Sequence, residues 1–449
     1  MPEILEEKRA YPRVKANLKV EMTKGLCANS VDLSEGGLSL SSVETISSPT
    51  LSLHINFADK EFDFKTNAKL VWKRNLEDGS SLYGMEFVNL NEIQKKSLRE
   101  ELIKIQTRGL LESIRDIETR KQVSDFFLQD VLSYINEIIA LVPYLSKQDY
   151  SMELEKKLDR INTQILLKGY CLEELLSDHT VMQRVKDNFR QLAGAWVYKS
   201  AIVKRGFEKP SGHPEDYKML EIIYDNKPIS SNMGVYFDNN FLKSPYAVAV
   251  RIRKNRIREL LEKFIGETKL NKFNIFNIAC GSCREILELL PNLATRSSIL
   301  FTCLDWDEEA LKFSQYKLLP VKSKNIDFKF VKEDVMNLIK NEKDTQQFSG
   351  QDLIYSIGLI DYLPDRVLKK LIQILYELLQ KGGKLILTHK NKEKTFPPIP
   401  PDWFCDWEFV PRDREGVIKL FYNCGISKFS LSTQSDDFGY VYYFTLTKL

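Results

Sequence analysis

The sequence has little that would mark a specialised surface. Its 65 lysines and arginines almost balance 62 acids, leaving a net charge of +3, so no broad basic field points to nucleic acid or an anionic bilayer. The seven cysteines are odd in number and scattered. Cys280 and Cys283 have CxxC spacing, but neither a second pair nor a nearby histidine completes a zinc site. No metal is expected, and small turn residues are the better reading of that pair than a redox couple. The first residues lack the apolar core of a secretion signal, and no apolar run is expected to approach the roughly 20 residues that span a bilayer. A GxGxxG fingerprint is also missing. What is present is ordinary: 449 residues, 43% hydrophobic and 28% charged, enough for two or three domains of a protein expected to be cytoplasmic.

Residues 1–105 carry short alternating runs at 18–22, 51–55 and 62–64, with further apolar runs at 68–72 and 83–88. Turn signals at Glu35-Gly36-Gly37, Ser48-Pro49 and Asp78-Gly79 divide them. That spacing argues for a small β-barrel or sandwich, closed by an amphipathic helix over about 91–105. Arg9 and Arg13 stand four residues apart on a non-helical leader, and Asp32, Ser34 and Gly37 fall in a DxSxxG turn at the end of an early strand. Guanidinium forks suit phosphate oxygens and base stacking, and Asp and Ser can pair with a guanine edge. Gly37 allows close approach of a ligand to the backbone. This RxxxR followed by DxSxxG resembles the PilZ domain, and Tyr83-Gly84-Met85-Glu86-Phe87-Val88 is similar to that family's closing strand. The resemblance implies a β-barrel that binds the bacterial second messenger cyclic di-GMP. Arg9 and Arg13 would clamp phosphates and guanine, and Asp32, Ser34 and Gly37 would form the facing edge.

Over residues 106–207 the apolar spacing becomes helical. Leu128, Val131, Leu132, Ile135, Ile138, Ile139 and Val142 trace one face, which Pro143 is expected to break. A second helix over about 151–176 carries Leu154, Leu158, Ile161, Ile165, Leu172 and Leu175. This α-helical segment is either a spacer packed within one chain or a homo-oligomerisation element. Both readings stand open.

Residues 208–247 are irregular and precede an α/β unit, where a cap over its site is expected. His213, Asp216 and Tyr217 are its chemically able residues, and Asp216 also suits a helix N-cap. From Phe273 strands and helices alternate. A strand at 273–279 meets the turn Ala279-Cys280-Gly281-Ser282-Cys283, and a second strand ends at Asp305. Later strands end before Glu333-Asp334 and at Ser356. A long helix over 365–380 is expected to end on glycine caps at 381–383, ahead of a fifth strand at 384–388. Such repetition requires a parallel sheet with helices on both faces, and ligands bind outside the carboxyl ends of its strands.

This order resembles the class I S-adenosylmethionine-dependent methyltransferases over about 175 residues. It implies an α/β Rossmann-like fold with S-adenosyl-L-methionine as cofactor. Ala279, Cys280, Gly281 and Ser282 would meet the methionine part, Asp305 the ribose, and Glu333 and Asp334 the adenine. Trp306, Ser356 and Gly358 complete the rim. The family's first motif is an acid followed by GxGxG, whereas here Asn277 replaces the acid and only Gly281 of the glycines remains. A catalytically inactive module that senses both ligands is therefore the alternative to an enzyme. Residues 352–366, with 212–217 and Asp406-Trp407, further resemble the methyltransferases of hydroxy fatty acid methyl ester synthesis. They imply carboxyl O-methylation of a 3-hydroxy fatty acid. A carboxylate is already ionised, while other acceptors gain from a base; the catalytic candidates are His389, Tyr362, Asp361, His213 and Tyr217. The aromatic, proline-rich stretch 396–407 is read either as a wall of an apolar pocket or as a rigid surface loop. The expectation is thus a multidomain chain: a PilZ-like barrel at 1–105, helices at 106–207, and a capped methyltransferase domain at 208–449 with its core at 273–449. Its partners would be cyclic di-GMP and a small-molecule methyl acceptor, with no nucleic acid.

Overall fold

In a computed structural model the described residues are 11–57, 62–147, 149–340, 345–395, 400–426 and 429–449. Arg9 lies outside them. The chain divides into two compact units, one containing residues up to Lys204 with Ser230–Asp238, the other Arg205–Ile229 with Asn239–Leu449.

In the first unit, period-two alternation builds seven strands: β1 (Val14–Lys15), β2 (Lys19–Met22), β3 (Cys27–Ser34), β4 (Gly37–Ser42), β5 (Thr50–Asn56), β6 (Asp63–Asn75) and β7 (Ser81–Val88). Antiparallel pairing runs β3-β2-β5-β6-β7-β4 and closes by β4 on β3, with β1 added outside on β3. Closure leaves no free edge among those six strands. Val20, Leu33, Leu38, Leu40, Ile55 and Tyr83 fill the interior and are fully buried.

Helix α1 (Glu92–Ser113) starts at an Asn91 cap whose side chain and that of Gln94 bond each other's backbone. It is followed by α2 (Leu132–Leu145), α3 (Met152–Leu175) and α4 (His179–Val197). Pro143 does not break α2; it sits in the last turn, where a missing N–H disturbs only the end of the ladder. The helical run continues back to Ile117, and over Ile117–Leu145 it is long and apolar enough, by length and composition, to cross a membrane. One such helix is a weak signal of a span, since the core helix of a folded domain passes the same test. Within this unit Phe127, Val131 and Ile138 of that run are fully buried. Most of the α3 stripe is covered inside the single chain: Leu158, Ile161, Ile165 and Leu172 are buried, and Tyr134 donates to Asn162 Oδ1 at 3.0 Å, while Leu154 is half-buried and Leu175 exposed.

The second unit holds β8 (Lys272–Ile278), β9 (Ser298–Asp305), β10 (Ile326–Lys332), β11 (Gln351–Ser356), β12 (Leu379–Lys390), β13 (Phe429–Ser435) and β14 (Val441–Lys448). Their order is β10-β9-β8-β11-β12-β14-β13, parallel except for β14, which runs against both neighbours. Helices α5 (Tyr217–Asp225), α6 (Pro245–Glu267), α7 (Arg284–Leu289), α8 (Glu308–Leu318), α9 (Asp365–Leu378) and α10 (Arg414–Tyr422) flank the sheet. Ile257, Leu261, Ile286 and Leu311 pack on one face, and Leu368, Leu371, Leu375 and Phe421 on the other. Lys381-Gly382-Gly383 is not a helix cap. Helix α9 ends at Leu378, and these residues belong to β12 where its register against β11 shifts. Gly382 takes φ +78° there, a conformation glycine supplies to a bulge as readily as to a cap.

Candidate functional site

Each unit gathers one set of the candidates. On the barrel, Asp32 pairs with Lys15 on one side and Ser39 on the other, so all three point outward. Arg13 reaches back over them, its Nη1 donating to the Asp32 carboxylate and, at 3.0 Å, to Ser39 Oγ. The Ser34 hydroxyl donates to the Gly37 carbonyl at 3.0 Å and closes the turn. Gly37 has a sheet reason for being glycine: a Cβ there would lie 2.0 Å from the Met85 carbonyl oxygen of β7. Two partners in this turn were not singled out in the sequence. Buried Glu35 forms a two-pronged ion pair with Arg99 of α1, Nη2 to Oε1 at 2.9 Å, and Arg99 Nη1 donates to Asn136 Oδ1 of α2 at 2.6 Å.

In the second unit a cavity of about 360 Å³ opens at the carboxyl ends of β8 to β11. It is lined by every cofactor candidate except Ser356, whose hydroxyl lies beneath and donates to the Ile278 carbonyl at 2.8 Å. The β8–α7 turn is built by three left-handed residues, Ala279 (φ +53°), Gly281 (φ +53°) and Cys283 (φ +50°). Alanine and cysteine thus hold the conformation of the absent glycines, at roughly 1–2 kcal/mol each. Bonds around the turn hold it: Cys280 N–H to Leu304 O at 3.0 Å, Ser314 Oγ to Gly281 O at 2.9 Å, and Gly281 N–H to Asp305 Oδ2 at 2.8 Å. The other Asp305 oxygen accepts from Asp307 N–H at 2.9 Å. Burial pushes the Asp305 carboxyl up to about 6, against the pull of those two N–H groups. This acid pins the turn and lines the cavity.

The acid missing at position 277 has a counterpart one helix start later. Asn277 Nδ2 donates to Glu285 Oε1 at 3.0 Å, and Tyr355 OH donates to the same oxygen at 2.7 Å. Burial, then the neighbouring Cys283, push the Glu285 carboxyl up to about 8. Cys280, Cys283 and Cys303 are free, buried and in hydrogen-bonding reach of one another. Among the described residues no group of side chains is arranged to hold a metal ion. The cap is tied to the turn by Glu221 of α5, which accepts from Ser282 Oγ and Arg284 Nη1, each at 2.7 Å. Asp216 caps α5, accepting from Met219 N–H at 2.8 Å.

The catalytic candidates separate. His213, Tyr217 and Tyr362 line the cavity; Asp361 and His389, 1% and 2% exposed, lie behind its wall. His389 Nδ1 is 2.7 Å from Asp361 Oδ1, without the alignment of a hydrogen bond. Asp361 belongs to a buried quartet that sequence reading missed. Arg253 of α6 donates to Glu215 and to Asp361 Oδ2 at 3.1 Å, and Lys390 Nζ lies 2.6 Å from Asp361 Oδ2 and 3.7 Å from Glu215 Oε2. Burial opposes charge on both acids, but the two cations more than offset it and hold both carboxyls below their ordinary range. Gly358 leaves room for this arginine, since a Cβ there would meet Arg253 Nη2 at 2.9 Å. The Tyr362 hydroxyl donates to Glu215 and accepts from Trp407 Nε1 at 2.8 Å. His213 Nδ1 accepts from Glu215 N–H at 3.2 Å, and burial lowers its pKa. That leaves a neutral ring with its proton on Nε2. Of the aromatic stretch, 396–399 lie outside the described residues; Trp403, Phe404 and Trp407 are buried and are not among the residues lining this cavity. Trp407 supports Tyr362 from behind.

The sequence profile of the PilZ domain matches residues 7–104. That of the family described as "Putative methyltransferase" matches residues 196–392. No curated protein matches the chain. Among solved structures, the chain is similar to magnesium protoporphyrin IX methyltransferase from Synechocystis PCC 6803 with bound SAM, at 15% identity and a TM-score of 0.33, over 45% of this chain and 83% of that one. A SAM-dependent methyltransferase from Archaeoglobus fulgidus gives 15% identity and a TM-score of 0.33, over 47% and 98%. The inhibitor of motility from Bacillus subtilis gives 20% identity and a TM-score of 0.21, over 24% and 53%. The chain carries a PilZ domain at its N-terminal end and, behind the helical middle, a domain of the methyltransferase family.

Proposed function

We propose that the chain is a cyclic di-GMP-responsive methyltransferase that uses S-adenosyl-L-methionine and methylates a carboxylate, with a hydroxy fatty acid as the acceptor class. The observation that carries this reading is the cavity, which collects the candidates of four strand ends at one side and His213, Tyr217 and Tyr362 at the other. The backbone fits the cofactor because the left-handed turn at 279–283 keeps main-chain atoms open to close approach. Trp306, 55% exposed on the cavity wall, offers a ring face beside Glu333 and Asp334.

S-adenosylmethionine supplies a methyl group on a sulfonium centre that is open to in-line displacement. The chain's contribution is position. Two of the cavity-lining candidates present no free base: His213 Nδ1 already accepts a bond, and the Tyr362 hydroxyl is engaged on both sides. An acceptor that arrives ionised suits such a site, because no proton has to be removed. His213 Nε2–H is a donor for one acceptor oxygen. The quartet sums to zero charge and holds Tyr362 and the cap in place.

In the barrel, Arg13, Asp32 and Ser39 offer the polar face for the dinucleotide. The Glu35–Arg99–Asn136 chain gives binding at the turn a route into the helices α1 and α2. Regulation requires that the ligand favour one of two states. Calorimetry with S-adenosylmethionine and its demethylated product is the first test; no binding of either refutes the enzyme reading. Mass spectrometry of a fatty acid extract incubated with the protein and labelled cofactor then identifies a methyl ester product. Equal rates with and without cyclic di-GMP refute the coupling, and binding without turnover leaves the two-ligand sensor.

A further inference from the structure

We infer that Trp72 is a base-stacking platform: its indole, seated on the bare backbone of Gly84, takes one guanine of cyclic di-GMP beside Arg13. This rests on the reading of the barrel as a receptor for that dinucleotide, and adds a residue outside both of the motifs that identify it.

Register places the ring. Lys15, Asp32, Ser39, Gly84 and Trp72 form one row across five strands, each paired directly with the next. Directly paired residues share a face of a sheet. That face is the outer one, because Leu33, Leu38, Leu40 and Tyr83 on the alternate positions are fully buried. Arg13, bonded to Asp32 and Ser39, and the indole therefore sit on the same surface, about two strand spacings or roughly 10 Å apart.

The strand beneath the ring is shaped for it. A Cβ on Gly84 would fall 2.1 Å from Trp72 Nε1 and 2.2 Å from Cε2, so the indole lies against backbone with no side chain between. The register of β6 on β7 shifts between Leu70 and Trp72, and a bulge of this kind re-aims the side chain that follows it. One face of the ring is thus covered, yet Trp72 stays 42% exposed and is the most exposed aromatic ring among the described residues of the barrel. Arg74 shares its face two residues on, adding positive charge next to the open side. An open indole between two guanidinium groups has the composition of a site for an anionic nucleotide, whose bases stack on aromatic rings while cations meet the phosphates.

Calorimetric titration of the full chain with cyclic di-GMP, alongside Trp72→Ala, Trp72→Phe, Gly84→Ala and Arg13→Ala, tests the inference. Loss of a stacking ring is expected to weaken binding about 5- to 150-fold in Trp72→Ala. Trp72→Phe keeps a ring and is expected within about threefold of the parent. Gly84→Ala leaves the tryptophan in the chain but lifts it off the strand, so weakening is expected there too. If the parent chain binds and Trp72→Ala binds equally well, the platform is wrong while the receptor reading stands. If Trp72→Phe is as weak as Trp72→Ala with both melting like the parent, stacking is wrong as well. If the parent does not bind, receptor and platform fall together.

Discussion

At the barrel face, Arg13 and Asp32 form an ion pair with 29% and 28% of their side chains open to solvent. Beside the cofactor cavity, Arg253 and Asp361 form one with 2% and 1% open. Both pairs join an arginine fork to an aspartate, yet they do different work. The first is weak and exchangeable, since water screens it and a ligand phosphate can compete for the guanidinium. The second is architecture: its charges have left water, are satisfied by each other with Glu215 and Lys390, and cannot be parted cheaply. Ligand chemistry needs the former; a wall that holds Tyr362 and the cap in place needs the latter.

The largest expected effect breaks this contrast directly. Arg253→Met leaves Glu215 and Asp361 facing Lys390 alone, and should cost about 3–5 kcal/mol of stability. Asp32→Ala at the barrel should cost about 0–1 kcal/mol. Urea unfolding of the two variants measures both, and similar losses would show that burial does not separate the sites.

The difference also explains what could be read along the chain. The candidate ligand residues of the barrel lie in contiguous motifs, and strand-end positions follow from βα alternation, so Asp305, Glu333 and the turn at 279–283 could all be singled out as candidates. Helix α3 was read at about 151–176 and spans Met152–Leu175, because its apolar period is clean and Ser151 caps it. The quartet was not legible. Glu215 and Asp361 meet Arg253 from 38 and 108 residues away, and although Asp361 was a catalytic candidate, nothing local announced that these charges pair with one another. Glu35 and Arg99, 64 residues apart, are the same case in the barrel. The bulge at 381–383 was read as a cap because glycine serves both.

A second, smaller contrast concerns protons. The Glu285 carboxyl, buried near the turn, is raised from an ordinary value of 4.5 to about 8. Between those values the folded chain keeps a proton that the unfolded chain has released. The stabilising contribution is therefore full below about 4.5, declines as pH rises, and is gone above about 8. The slope in that window is up to about 1.4 kcal/mol per pH unit. Unfolding measured from pH 5 to 8.5 should show it, and Glu285→Gln, which carries a fixed neutral group of the same shape, should flatten the curve. A curve of unchanged slope in the variant would place the titration elsewhere.

The finest comparison exchanges glycine and alanine in opposite directions at the two sites. Gly37 keeps its letter because a Cβ would strike the Met85 carbonyl; Gly37→Ala should cost about 1–3 kcal/mol as the barrel spreads to admit it. Ala279 has lost its letter but keeps the left-handed backbone that a glycine would relax. Ala279→Gly removes strain of roughly 1–2 kcal/mol, offset by about 0.5–1 kcal/mol of extra freedom in the unfolded chain. A net gain of up to about 1.5 kcal/mol is expected, with no loss of cofactor affinity, from a change that in a regular strand or helix destabilises. If Ala279→Gly lowers stability instead, the turn is not strained and its shape owes nothing to the conformation that alanine now holds.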